Sequence, residues 1–184
     1  MPKVVDHDAQ RARILASCSA LFAARGYGTV TMREIARAAG VSTGSIYHYF
    51  PTKKDILAQL FAQMSGTDVV RGAAAVAPHV EPEARIDALL AFVEGQGKHF
   101  ADLLLLATDV HRHEDVGPLA RDALRVYRQA IAEQLGLEPD RAAMLLSTLI
   151  GALIHRLLDE AAPGVQEHRP VVLGAAGLAT PDES

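Results

Sequence analysis

The sequence predicts an all-α fold, and three observations support it. Alanine and leucine, which favour helices, are frequent in a chain whose residues are 49% hydrophobic. Apolar residues recur with helical spacing, and no segment of useful length alternates as a strand does. Glycine and proline separate these apolar segments, where helices end and begin. The 184 residues suffice for one large or two small domains that bury a core.

The first amphipathic segment predicts a helix that ends at Gly26. The chain's one cysteine, Cys18, lies on its apolar face, so we expect a buried structural thiol rather than a redox sensor. A single cysteine excludes an intramolecular disulfide and agrees with a reducing cytoplasm. The apolar positions follow the i, i+1, i+4, i+7, i+8 spacing of one helical face: Ile14, Leu15, Cys18, Leu21 and Phe22.

Two short helices are predicted within residues 31–53, TMREIARAAGVSTGSIYHYFPTK. Thr31 and Glu34 have the spacing of a capping box, in which the hydroxyl and the carboxylate each bond a free backbone amide. Gly40 can end the first helix in the left-handed conformation, and Ser42 can cap the second. This pattern indicates a helix-turn-helix.

The second of these helices carries the chemistry of the motif. Residues 43–49 direct Ile46 inward and leave hydroxyl, imidazole and phenol groups outside. In a helix-turn-helix, such a helix fits the major groove of DNA with its early residues near base edges. An ordinary helical hairpin, with Tyr47, His48 and Tyr49 on its surface, would fit the same pattern.

Charge separates the chain into a basic head and an acidic body. Residues 1–54 carry eight lysines and arginines against three acidic residues, a net charge of +5, and since the whole chain is −4, the remainder is −9. Lys53 and Lys54 fall in the first turn of the next helix, where cations oppose the helix dipole and favour an external anion. These features suit a protein that docks one end onto a polyanion.

Residues 11–61 resemble the N-terminal DNA-binding domain of TetR-family transcriptional regulators. The resemblance rests on the amphipathic helix, then G-Y-x-x-x-T, A-G-V-S-x-G-x-I-Y and F-x-x-K in order. It implies a DNA-binding domain over 1–54 and a helical ligand-binding and dimerisation domain over 55–184. The implied function is a homodimeric repressor that a small-molecule ligand releases from a palindromic double-stranded DNA operator, with activation or corepression as alternatives.

The resemblance also implies the residues that contact DNA. Thr43, Ser45 and His48 would face the groove, while Tyr47, Tyr49 and Lys53 would bind phosphates. Tyr49 replaces the histidine that many members carry there, although a phenol can still donate to a phosphate. The full set implied at this surface, with Arg33 added from the outer face of the motif's first helix, is Thr31, Arg33, Ser42, Thr43, Ser45, Tyr47, His48, Tyr49 and Lys53.

Beyond residue 55 every segment again predicts a helix. The first is expected to end near Gly66, with a looser link over 67–80. The others are expected to break around Gln96, to begin near Pro118, Pro139 and Pro170, and to close at Gly136. The helix from Pro139 is so widely apolar that we expect it to bury one side on the body and another on a partner, although both sides could also be covered within one chain. By resemblance, the two C-terminal helices form the homodimer.

Candidate ligand-binding residues in the body form an apolar set with a few polar groups. Such a set fits an uncharged or mildly polar organic molecule, whereas a plain helical core has the same pattern. The acidic surplus of the body would suit a cationic ligand, and a solvated acidic face explains it equally well. The candidates are Phe92, Gln96, His99, Phe100, Leu103, Leu104, Tyr127 and His155.

Other functional classes find less support in the sequence. His111, His113, Glu114 and Asp115 could bind zinc, nickel or copper, but a two-residue spacing does not put both histidines on one helical face. We therefore expect a solvated turn, no metal and no cofactor. A nucleophile elbow and a phosphate loop are absent, so we expect no enzyme. A scaffold that has lost DNA binding remains the other alternative.

The expected location is the cytoplasm. The first thirteen residues, MPKVVDHDAQRAR, lack the apolar core of a signal peptide, and the apolar run at 103–107 is far too short to span a bilayer. No membrane partner is expected.

Overall fold

The computed structural model describes residues 7–178, which contain α-helices and no strand. The all-α prediction is therefore confirmed for this part of the chain. A single 3-10 turn, Gln166–His168, precedes the last helix. The helices are α1 His7–Arg25, α2 Met32–Ala38, α3 Thr43–Tyr49, α4 Lys53–Val76, α5 Pro82–Gly95, α6 Gly97–His111, α7 Gly117–Leu135, α8 Pro139–Leu158 and α9 Arg169–Ala176.

Glycines end the first two helices as the sequence predicts. Gly26 has φ +76° and Gly40 has φ +66°, conformations that L side chains rarely adopt. At the second of these ends, the amide of Val41 donates to the carbonyl of Ala36 at 2.9 Å, which closes the turn between α2 and α3. The turn is therefore set by local chemistry.

The chain divides into two compact units. The first comprises the residues up to Met64 together with Leu105–Arg121, so it contains α1 to α3 and also the end of α6. Cys18 is fully buried there, as the sequence predicts, and burial raises the pKa of its thiol to about 12. The largest fully buried side chains of this unit are Phe22, Phe50, Ile14, Ile35, Ile46, Ile56, Leu57 and Val30.

The second unit comprises Ser65–Leu104 and the chain from Asp122 onward. Its core is aliphatic and is built from α5, α7, α8 and α9. The buried members include Ile86, Leu90, Val93, Ile131, Leu145, Leu149, Leu153, Val172 and Leu173. By length and composition α8 would pass as a membrane span, as the core helices of many non-membrane proteins do.

The predicted end of α4 near Gly66 is wrong, and so is the looser link over 67–80. The helix runs through Gly66 and Gly72 to Val76, and only residues 77–81 connect it to α5. A glycine inside a helix costs only about 1 kcal/mol relative to alanine, so burial of neighbouring residues can override it. Val76 and Asp68 are both buried. The breaks at Gln96, Gly117 and Gly136 are where the sequence predicts them.

Candidate functional site

The start of α2 is a complete capping box. The Thr31 hydroxyl accepts from the amide of Glu34 at 3.3 Å, and the Glu34 carboxylate accepts from the amide of Thr31 at 2.8 Å. The Thr31 hydroxyl also donates to that carboxylate at 2.8 Å, so its one hydrogen is already used. Hydrogen bonds from Thr31, and then from Arg25, lower the pKa of Glu34 to about 2. Thr31 therefore has a structural role in addition to the predicted DNA contact.

Replacing Thr31 by alanine is expected to destabilise the first unit by about 1 kcal/mol at neutral pH, the usual loss for a threonine N-cap. The Glu34 pKa lies below its unfolded value, so the capping box contributes stability above pH 4.5, and this contribution disappears as the pH falls towards 2. Urea unfolding from pH 7 to pH 2 checks this. A Thr31→Ala deficit that stays constant over this range would contradict it.

Helix α3 has one exposed polar face and one buried face. Ser42 caps it, its hydroxyl accepting from the amide of Ser45 at 3.0 Å, and Ile46 is fully buried. Thr43 and His48 are exposed, Tyr47 is 52% exposed and Ser45 is half-buried. The predicted helix bounds, cap and anchor are confirmed. These four side chains are available to a ligand as the sequence predicts.

Tyr49 departs from the prediction that its phenol lies outside, since only 9% of the residue is exposed. Its ring lies 5.7 Å from the ring of His7, and its carbonyl accepts from the Arg11 guanidinium at 3.0 Å. That guanidinium also lies 5.2 Å from the centroid of the Phe50 ring. Helix α1 therefore supports the end of α3 through His7 and Arg11, two residues that the local pattern did not single out.

The ammonium of Lys53 is bound within the protein rather than left for an external anion. It donates to the carbonyl of Tyr27 at 2.6 Å and to that of Val30 at 2.8 Å, and it lies 4.2 Å from the centroid of the Tyr27 ring. Burial lowers the Lys53 pKa, with Asp115 and Asp109 opposing that shift. An ammonium has three donors, so at most one stays available for a phosphate.

The end of α6 packs on the same loop between α1 and α2. Asp109 accepts from the amide of Tyr27 at 2.7 Å, and the His113 ring lies edge-on to the Tyr27 ring at 5.6 Å. Burial would raise the pKa of Asp109, but hydrogen bonds from Arg112 and from the Tyr27 amide outweigh it and lower that pKa. His113 is half-buried, so the expected solvated turn is wrong at this residue. Within residues 7–178 no three metal-ligating side chains form a metal site.

The two helices that flank α3 in the chain carry exposed cations. Arg33 and Arg37 are exposed one turn apart on α2, and Lys54 is exposed at the start of α4. Arg33 is therefore accessible as predicted. Side chains spaced by four residues share one face of a helix, so the two arginines present adjacent positive charges.

In the second unit, four of the predicted ligand-binding residues come together around a carboxylate. The Phe100 ring lies 6.0 Å from the ring of Phe92, 5.3 Å from that of His99 and 6.3 Å from that of Tyr127. Asp68, which the sequence pattern did not single out, accepts from the Tyr127 hydroxyl at 2.6 Å. We call Asp68, Phe92, His99, Phe100 and Tyr127 the aspartate–aromatic cluster.

The remaining ligand candidates are not part of these ring and carboxylate contacts. Leu103 is buried, Gln96 is half-buried at the break between α5 and α6, and Leu104 packs against the aliphatic core. His155 is exposed on α8. Its four-residue spacing from Gly151, which is also exposed, puts both on an outer face of that helix. The exposed position of His155 makes it a weaker candidate for ligand binding than the four clustered residues.

Comparison with known proteins finds similarity within the first unit. Residues 14–60 match the family described as bacterial regulatory proteins, tetR family. The transcriptional regulator HbdR of Aromatoleum sp. (strain CIB) is 48% identical over 56 residues, which are 30% of this chain and 24% of that protein. The chain thus matches about a quarter of the length of its first relatives.

Several solved structures superpose on almost the whole of this chain. The fatty acid degradation regulator FadR from Bacillus halodurans superposes with a TM-score of 0.75 at 21% identity, covering 92% of this chain and 96% of that one. The multidrug binding protein EbrR, in complex with malachite green, gives 0.74 at 22% identity, covering 90% and 97%. At this level of identity the likeness supports the shared fold alone.

Proposed function

We propose that this chain is a sequence-specific DNA-binding transcriptional repressor of the tetR family of bacterial regulatory proteins, whose family model matches residues 14–60. The observation that carries this proposal is α3, a short helix anchored by buried Ile46 whose outer side chains, Thr43, Tyr47 and His48, are exposed. The neighbouring arginines of α2 supply positive charge for phosphates. Such a protein acts in the cytoplasm, where its operator lies.

The DNA-binding proposal is tested by selecting genomic fragments with the purified protein at physiological salt. We expect a palindrome to be enriched, because a two-fold dimer reads two half-sites about one helical turn apart. Fragments retained without any shared sequence at low salt, and lost at physiological salt, would instead indicate non-specific electrostatic binding and contradict the proposal.

The different DNA contacts proposed for Tyr47 and Ser45 give a prediction. Tyr47→Phe is expected to weaken binding to operator and to unrelated DNA by the same factor, about three- to tenfold, because one phosphate hydrogen bond is lost. Ser45→Ala is expected to change the base preference at one position of each half-site instead. Titrations on operator, single-base variants and unrelated DNA measure both. Equal loss on all DNA for both variants would contradict these different contacts.

The proposed homodimer uses the outer face of α8. Met144 is 59% exposed and Leu158 is 80% exposed, and on α9 Val171 is 59% exposed. Met144, Gly151 and Leu158 repeat every seven residues and therefore share one face of α8. A face with exposed apolar side chains at Met144 and Leu158 and a glycine between them suits close packing of two helices, so a second copy of the chain is the proposed partner.

The proposed effector is a small organic molecule that binds the second unit and releases the operator. The aspartate–aromatic cluster supports this, because it combines apolar rings with a few polar groups, as ligand sites do. Release requires that the effector binds the operator-incompetent form more tightly than the competent one. Titrating the protein with operator DNA, with and without a small molecule that it binds, tests this release. An operator affinity that the small molecule leaves unchanged would contradict it.

A further inference from the structure

The carboxylate of Asp68 is buried in the second unit, and within residues 7–178 it contacts no lysine or arginine. It is 5% exposed, and it contacts the Tyr127 hydroxyl at 2.6 Å and the His99 Nε2, which lies 3.0 Å from both carboxylate oxygens. Burying a carboxylate is costly, and an apolar residue of similar size would stabilise such a position as well or better. Stability therefore does not explain this aspartate, whereas binding of a positive group does.

The two partners of Asp68 differ in how firmly they are held. Burial, followed by the contacts with Asp68, raises the pKa of Tyr127, so its hydroxyl stays a donor. The side chain of His99 is 34% exposed and thus forms the solvent-facing side of the contact. Movement of His99 alone would open the carboxylate to a ligand, while Tyr127 would continue to hold it in place.

A chain of aromatic rings begins beside His99. Phe100 lies edge-on to both His99 and Tyr127, and Phe92 lies edge-on to Phe100. Gly72, one turn after Asp68 on α4, leaves room beside Phe92, because a Cβ there would lie 3.4 Å from that ring. Aromatic faces attract cations and also bury the apolar part of an organic molecule.

We propose that the aspartate–aromatic cluster binds an organic cation, whose charged group replaces the His99 imidazole on Asp68 and whose apolar part packs on Phe92, Phe100 and Tyr127. This proposal rests on the proposed ligand response and specifies the chemical class of the effector. A buried carboxylate disfavours anions, and a neutral molecule would leave the negative charge without compensation.

The test uses two probes that share one skeleton. In mildly acidic buffer malachite green is a cation, and its reduced form, leucomalachite green, is largely uncharged, whereas at higher pH hydroxide adds to malachite green and gives a neutral carbinol. We expect the wild-type protein to bind the cation at least about tenfold more tightly than the leuco form, since close opposite charges couple strongly when desolvated. Dye absorbance and calorimetry measure the two affinities.

Two substitutions are expected to change the affinity for the cationic dye in opposite directions. Asp68→Asn keeps an acceptor for Tyr127 and removes the charge, so it is expected to weaken dye binding at least about tenfold and leave the leuco form unchanged. His99→Ala removes the group that the cation must displace, so it is expected to tighten dye binding. A purely structural role for the cluster would weaken binding in both variants. Urea unfolding establishes that each variant is folded.

The outcomes separate this inference from the proposed function. Equal affinity for the two probes, no effect of Asp68→Asn, or no binding of malachite green or of tetraphenylphosphonium to the wild type would overturn the cation site. Operator titrations are scored independently. Dye binding that depends on Asp68 but leaves operator affinity unchanged would uphold the cation site and contradict release. Operator release by uncharged molecules alone would uphold release and overturn the cation site.

Discussion

Gly151→Glu is expected to convert the proposed dimer into monomers and to lower the proposed operator affinity by about 10²- to 10⁴-fold, the gain that linking two binding modules provides. Gly151 lies at the centre of the outer face of α8, between Met144 and Leu158. Within the described part of the chain, a Cβ at Gly151 meets no heavy atom within 4 Å. The substitution therefore leaves the protomer undisturbed and places a charge only where the proposed partner packs.

The matched control is Gly66→Glu. Gly66 is also an exposed helical glycine, on α4, and a Cβ there likewise meets nothing within 4 Å in the described residues. Both substitutions remove a flexible glycine from a helix and introduce the same charge, so their effects on helix propensity match. Sedimentation equilibrium and operator titration compare them. A Gly151→Glu protein that stays dimeric and binds operator like the control would exclude this face as the dimer interface.

Lys53→Met is expected to destabilise the first unit by about 2–3 kcal/mol, because two carbonyls lose a charged hydrogen-bond donor. Methionine keeps much of the packing against the Tyr27 ring, so the loss reports the ammonium. Operator affinity is expected to fall as well, since the Tyr27 and Val30 carbonyls belong to the loop that orients α2 against α1. Urea unfolding measured beside operator titration separates the two effects.

Lys54→Met provides the control for this substitution. Lys54 is the adjacent lysine, it is exposed, and it carries the same charge. If Lys53 acts only as a phosphate contact, the Lys53→Met and Lys54→Met variants will have the same free energy of unfolding. The slope of log affinity for DNA against log salt concentration will then be smaller for Lys53→Met than for the wild type, by about one unit. That result would contradict the structural role that the two carbonyl contacts indicate.

Predictions from the sequence were most accurate where the deciding contacts are local. The capping box joins Thr31 to Glu34, and the second cap joins Ser42 to Ser45, each across three residues. Gly40 closes the intervening turn by its own backbone conformation. The chemistry of such contacts is readable within a short window, so the helix-turn-helix and its bounds followed from the residues alone.

Predictions failed where a distant residue decided the outcome. Gly66 was expected to end α4, yet the helix continues to Val76 because its later residues are buried. Tyr49 was expected outside, and contacts from α1, 38 residues away at Arg11, help to enclose it. A helical pattern indicates which residues share a face, but it does not indicate what covers that face.

The sequence by itself determined the helical class, the order of the helices, the helix-turn-helix and the resemblance of the first unit to tetR-family proteins. Only the tertiary structure decided that Lys53 binds the Tyr27 and Val30 carbonyls, that Asp109 contacts a loop 82 residues away, and that Asp68 meets Tyr127 across 59 residues. The physical reason is the range of the interactions: caps and turns are satisfied by neighbours in the chain, whereas a buried charge is satisfied by whichever groups packing brings to it.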